Sequence, residues 1–248
     1  MNRAGPARSA ANLLAASLAE AGRVEFHNLA TSGARIADVA GRQLAAALAL
    51  RPHLASVIVG VNDTLRDEFD PDTIGRALTG TIAALRASGA VVLTARLPDP
   101  GRTFGLPGPL ARPLGRRMRA VNAITDAAAD RHGTVHLDLT ADPCAYDRRM
   151  WSIDRLHPGE RGHRLIARCF ADGLAAAGFP VRHRPSLRPT NRSPTRWARA
   201  WWMANQGTRW LLRRSTDLLP SLVAIVVAEW WQERRGGAAR GAPEETGT

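Results

Sequence analysis

The chain contains no lysine: all 34 of its basic residues other than histidine are arginine, set against 22 acids, for a formal charge of +12 over 248 residues. Such usage reads as the coding bias of a GC-rich genome rather than as a functional signal. The excess is uneven, because residues 182–248 carry 12 arginines against 5 acids. A basic balance of this size can favour nucleic acid, anionic lipid or an acidic partner. No zinc-finger, RNP-type or helix-turn-helix pattern accompanies it, which argues against nucleic acid. Cysteine is nearly absent as well. Cys144 and Cys169 lack metal-ligand spacing and read as buried free thiols. A charged-then-apolar leader is not seen, and a cytoplasmic location is the expectation. Long apolar runs are also missing: the longest, Leu218–Trp231, is about 14 residues and contains Pro220 and Glu229, too short to span a bilayer.

What the sequence does have is alternation. Residues 8–22 (RSAANLLAASLAEAG) carry a helical pattern that stops at Gly22, and residues 24–30 (VEFHNLA) read as a strand. A helix over 34–50 halts before Pro52, followed by a buried strand, ASVIVGVND, over 55–63. Asp70 and Pro71 open a helix that Gly89 closes, and AVVLTARLP follows as a strand. A Gly/Pro-rich loop, Asp99–Leu114, leads to a helix over 115–133, a last strand over 134–140 and a last helix over 159–178. Four strands separated by helices predict parallel pairing with right-handed crossovers in an α/β sandwich. Ligands in such sheets sit at the carboxyl ends of the strands, so chemistry is sought in the loops that follow them.

Three places in those loops carry reactive groups. In NLATSGARIADV, Gly33 precedes a helix, where its N–H can face a site, or it simply makes the turn. In VGVNDTLRDEF, the Asn62 amide can donate to a developing oxyanion, or Asn62 and Asp63 form an Asx turn. In SIDRLHPGERGHRLIA, Asp154 lies three residues before His157, a spacing that lets a carboxylate orient a general base, or the two are surface and capping groups at a helix mouth.

Taken together and in order, these segments resemble the SGNH hydrolases, the GDSL-type lipase/esterase family, over roughly residues 10–178. The family is marked by a Gly-Asp-Ser nucleophile, a block glycine, a GxND and a DxxH. NLATSGARIADV resembles the second block, GVND (Gly60–Asp63) the third and DRLH (Asp154–His157) the fourth. The resemblance implies a flavodoxin-like three-layer α/β/α sandwich with a parallel sheet, and ester hydrolysis through an acyl-enzyme. It implies Gly33 and Asn62 as oxyanion donors, His157 as general base and Asp154 as its orienter, with no metal or organic cofactor. The expected partner is a small-molecule or lipid ester, whose identity depends on the loops after residues 62 and 97.

One block has no counterpart: no strand ending in Gly-Asp-Ser precedes the first helix. Ser9 and Ser17 lie within helical pattern and Ser32 within the glycine block, so none reads as the nucleophile. In the family's sheet order the absent first strand lies between the strands represented by 24–30 and 55–63. The expectation is a mis-called start codon or a truncated gene, and a chain that is inert as it stands. The alternative is a non-catalytic relative that keeps the pocket as a binding site.

The composition changes after residue 180. Residues 181–194 form an Arg/Pro/Ser linker, residues 195–233 hold six of the seven tryptophans, and residues 234–248 read as a disordered tail. The Trp/Arg-rich segment predicts a helical extension, which either packs onto the body or makes peripheral contact with a membrane.

Overall fold

The computed structural model describes residues 9–18, 24–141, 143–152, 157–190, 197 and 201. The expected helical extension over 195–233 and the tail lie outside these residues except for Trp197 and Trp201. So do Gly22 and Asp154.

The first helix, α1 (Ala10–Leu18), is followed by α2 (Ile36–Asp38), which runs through a π-helical turn (Val39–Gln43) into α3 (Leu44–Ala49). Gly41 breaks the helical geometry inside that turn and kinks what the sequence presents as one helix. Next come β1 (Leu54–Ser56), the short α4 (Val61–Thr64), α5 (Pro71–Ala87), β2 (Val91–Arg96), α6 (Pro100–Phe104) and α7 (Gly108–His132). The described body closes with β3 (Val135–Asp138) and α8 (Glu160–Ala176). The Asp70 carboxylate accepts from the Asp72 N–H and, with Pro71, starts α5 as the sequence predicts. The expected loop Asp99–Leu114 is largely helical instead. Asp99 caps α6, and α7 begins at Gly108 with Pro113 inside it. Pro113 sits early in that helix and removes a single backbone bond, while burial of Leu114, Met118 and Val121 favours continuing the helix.

The sheet is parallel, in the order β1-β2-β3. Leu54 pairs with Val91 and Ser56 with Leu93, while Leu93 pairs with Val135 and Arg96 with Asp138. Alternation along β2 separates two cores. Val92 joins Ile74, Leu78, Ile82 and Leu85 of α5, whereas Leu93 and Ala95 join Leu14 of α1 and Phe170, Ala171 and Leu174 of α8. Helices therefore cover both faces, a three-layer α/β/α sandwich as expected.

The fourth expected strand does not form. Residues 24–30 form neither helix nor strand and are exposed, and β1 pairs with β2 alone among the described residues. The apolar pattern of VEFHNLA favours a strand, but a strand exists only where a neighbour accepts its hydrogen bonds. Val24, Phe26, Leu29 and Ile58 consequently rank among the exposed large apolar side chains. The strand read over 55–63 shortens for the same reason. Beyond Ser56, Val57 keeps one bond to the Leu93 carbonyl, and residues 61–64 turn into α4.

Burial sets the expected mutational costs. Ile82, 0% exposed, should lose about 2–5 kcal/mol as Ile82→Ala. Ile58, 44% exposed, should change by no more than about 0.5 kcal/mol as Ile58→Ser. Urea denaturation followed by circular dichroism measures both.

Candidate functional site

The glycine-block turn is held from the loop after β1. The Ala34 N–H donates to the Thr31 carbonyl at 3.1 Å, closing a turn in which Gly33 has φ +79°. That left-handed conformation favours glycine. The Gly33 N–H has no hydrogen-bond partner among the described residues. Asn62, on the first turn of α4, donates through Nδ2 to the Ala34 carbonyl at 2.9 Å. An amide nitrogen carries two hydrogens, so one remains for a further acceptor. Its neighbour Asp63 accepts from the Ile36 N–H with both carboxylate oxygens, at 3.1 and 3.2 Å. Asn62 is thus tied to Ala34, the residue that follows Gly33.

Asp63, which the sequence offers as part of an Asx turn, serves here as a buried acceptor for the Ile36 N–H. Its side chain is buried, and loss of solvent raises its carboxyl above the ordinary value. The Ile36 N–H and the Arg35 charge oppose that rise, and Asp38 adds to it. Gly60 precedes α4 with φ +121°, where a Cβ would come 2.5 Å from Val121 Cγ1 of α7. Only a residue without a side chain lets β1 turn into α4 there.

His157 stands on the loop that runs from β3 to α8. The segment is closed by an antiparallel bridge between Trp151 and Pro158 and by a 2.9 Å bond from the Ser152 N–H to the His157 carbonyl. The His157 side chain is exposed. The carboxylate expected to orient it, that of Asp154, lies outside the described residues. A second histidine, His163, occupies the first turn of α8, and its Nδ1 accepts from the Ala10 N–H at 3.2 Å. Burial, and then the charge of His157, push the His163 pKa down. Its neutral form therefore carries the proton on Nε2 and holds the start of α1 against α8. No cue in the sequence separates His163 from an ordinary core histidine.

The serines near α1 serve the helix. Ser9 Oγ accepts from the Asn12 N–H at 3.2 Å, and the buried Ser17 hydroxyl donates to the Leu14 carbonyl at 2.6 Å. Cys144 and Cys169 form no disulfide and are half-buried rather than buried as the sequence suggests.

A family model for the GDSL-like Lipase/Acylhydrolase family matches residues 2–165, a span that contains Gly33, Asn62, Asp63, His157 and His163. The chain belongs to this family. No curated protein matches it. Among solved structures it is similar to "Crystal Structure of TesA", at 23% identity over 58% of this chain and 74% of that one, with a TM-score of 0.45. It is also similar to the acetyl xylan esterase AlAXEase, at 23% identity over 59% and 77% of the two chains, with a TM-score of 0.47. A third is the psychrotrophic esterase EstA from Pseudoalteromonas sp., at 19% identity over 59% and 74%, with a TM-score of 0.45. As a GDSL-like acylhydrolase, the chain is an ester-bond hydrolase by family, and small-molecule esters are its substrate class.

Two predictions follow from the turn of this GDSL-like domain. Asp63→Ala leaves the Ile36 N–H without its acceptor and should cost about 1–3 kcal/mol in urea denaturation. Asp63→Asn keeps an acceptor oxygen and removes the charge. The raised carboxyl binds a proton in the folded state that the unfolded chain releases, so its stabilisation is complete below pH 3.8 and is lost as pH rises through the folded value. Asp63→Asn lacks that loss, and its urea midpoint relative to the parent should improve between about pH 4 and pH 7. Separately, Gly60→Ala should destabilise by more than about 1 kcal/mol, with Val121→Ala in the same chain relieving the contact but not the backbone strain.

Proposed function

We propose that the carboxyl edge of this sheet carries the anion cradle and the proton relay of an ester hydrolase. The Gly33 N–H and the remaining Asn62 N–H hold the carbonyl oxygen as it becomes an oxyanion. His157 takes the proton from the attacking hydroxyl and returns it to the departing alcohol, with Asp154 orienting the ring. The observation that supports this reading is the Asn62–Ala34 bond, which ties an amide with a hydrogen to give to the residue after Gly33, whose N–H has no partner among the described residues. The 248 residues contain no Gly-Asp-Ser run to supply the attacking hydroxyl. A cradle and base without their serine should still speed attack by water, by roughly 10³–10⁴-fold at most.

The purified chain and p-nitrophenyl acetate test this. A slow hydrolysis without a burst is expected, with no labelling by a fluorophosphonate probe. Asn62→Ala should remove most of the rate above background, since one oxyanion donor is worth about 10²–10³-fold, and His157→Ala should do so as well. A labelled serine would place the nucleophile within this chain, and equal rates in parent, Asn62→Ala and His157→Ala would end the reading.

A second reading concerns location. Trp197 and Trp201, four residues apart, are 83% and 71% exposed, which supports peripheral contact of residues 195–233 with a membrane surface. Co-sedimentation with anionic liposomes should be lost on deleting residues 190–248, and co-sedimentation that persists refutes it.

A further inference from the structure

Beyond the end of β2, Asp99 and the first half of α7 form an open cleft of about 260 Å³, lined by Asp99, Ala111, Arg112, Gly115, Arg116 and Arg119. Its floor is made by bare backbone. A Cβ on Gly115 would come 2.7 Å from Asp99 Oδ2, so the carboxylate rests directly on the helix. Asp99 is fixed there from two sides: Oδ1 accepts from the Gly101 N–H at 2.8 Å, and its own N–H donates to the Tyr146 hydroxyl at 3.2 Å. Arg102 of α6 stacks on the Tyr146 ring, 3.8 Å from its centroid, and adds a further cation beside the floor.

The rim is the unusual part. Arg112, Arg116 and Arg119 are spaced four and three residues apart, which puts them on one face of α7. No acid occurs in α7 before Asp126. Like charges at this spacing repel, which works against the helix and favours an anion above it. Arg112 and Arg119 make no hydrogen bond or ion pair among the described residues, and all three side chains are exposed. The cleft also lies on the edge of the sheet that carries Asn62. A double hydrogen bond, from the Leu97 N–H to Asn122 Oδ1 and from Asn122 Nδ2 to the Leu97 carbonyl, each at 2.9 Å, fixes α7 against the end of β2.

We infer that this cleft binds the negatively charged end of the ester substrate, a carboxylate or phosphate group, between Arg112, Arg116 and Arg119. The volume suits such a group with a few attached carbons, below the roughly 300–1,000 Å³ of sites that enclose a whole drug-sized ligand. Asp99 on the floor favours a hydroxyl next to the anionic group, to which it can offer Oδ2. The inference rests on the reading of this edge as an ester-hydrolysing site, but the binding it asserts is measurable without turnover.

Calorimetric titration of the full chain with inorganic phosphate, and separately with monomethyl succinate, tests it at low salt. Saturable binding of at least one is expected, and the tighter of the two identifies the group. Arg112→Gln with Arg119→Gln should weaken it by about tenfold or more, as lost charge-assisted hydrogen bonds do. Arg42→Gln, an exposed arginine outside the cleft, should leave it unchanged, and thermal melts should show both variants folded. No saturation by about 10 mM of either probe overturns the inference, as does an equal loss in Arg42→Gln. Hydrolysis of neutral p-nitrophenyl acetate should depend on Asn62 and not on Arg112 or Arg119. Binding that fails while this hydrolysis persists removes the cleft alone. Binding that persists while Asn62→Ala changes nothing removes its assignment to an ester substrate.

Discussion

Two neighbouring side chains hold the candidate site together. Asn62 donates to the Ala34 carbonyl, and Asp63 accepts from the Ile36 N–H. One clamp thus meets a backbone acceptor and a backbone donor two residues apart, which requires one side chain that gives hydrogens and one that only receives them. Elsewhere in the body, ladders and helices do this work. Between residues 24 and 35 no ladder exists, so the position of the glycine-block turn relative to β1 depends on these side chains. The cost is a carboxylate taken out of water, and the bifurcated acceptance from Ile36 offsets part of it.

The same constraint explains the asymmetry of the sheet. β2 has a neighbour on each side and helices on both faces, and Val92 and Leu93 are 0% and 1% exposed. β1 has a neighbour on one side only and stops after three residues. Parallel strands are stable where both edges and both faces are covered, and they leave apolar side chains in solvent where they are not. Phe26 and Ile58 report that directly. A loosely held β1 edge makes the clamp more important, because the cradle is built on the first residues after that strand.

Local signals in the sequence account for much of the body. Asp70 with Pro71, Gly89 and Gly133 mark helix ends by their backbone preferences, and the structure places helix ends there. The period of apolar residues identifies β2, α5 and α8 for the same reason, since each buries its pattern against a neighbour. Failures occur where the outcome depends on a partner or on packing. VEFHNLA has strand propensity without a strand to pair with. Pro107, Gly108, Pro109 and Pro113 suggest a loop, yet burial of Leu114 and Met118 carries α7 through them. In the candidate site, Gly33 and Asn62 are legible as motif residues, in the glycine block and in GVND. Asp63 is not, because an Asx turn and a buried clamp look alike in sequence. His163 is hidden likewise, since a single histidine in an amphipathic helix gives no sign of meeting Ala10 from 153 residues away.

Arginine usage bears on how the positive charge is read. Many of these side chains act as staples onto backbone carbonyls rather than as free cations. Arg86 donates to the His132 and Ala90 carbonyls, both at 2.9 Å, and ties the end of α5 to the end of α7. Arg164, nearly buried, joins Glu160 of its own helix to the Ser186 carbonyl, and Arg168 reaches the Pro185 carbonyl. Arg117 crosses from α7 to the Thr64 and Arg66 carbonyls just after Asn62, with its guanidinium over Phe69. A planar fork with five donors can serve two acceptors at once, which an ammonium on a flexible stem does less well. Coding bias explains why the residue is arginine, and packing explains what these arginines do. Neither explains a row of guanidinium groups on the opposite face of α7 from Arg117. Those side chains repel one another along the helix, and a bound anion would relieve that repulsion.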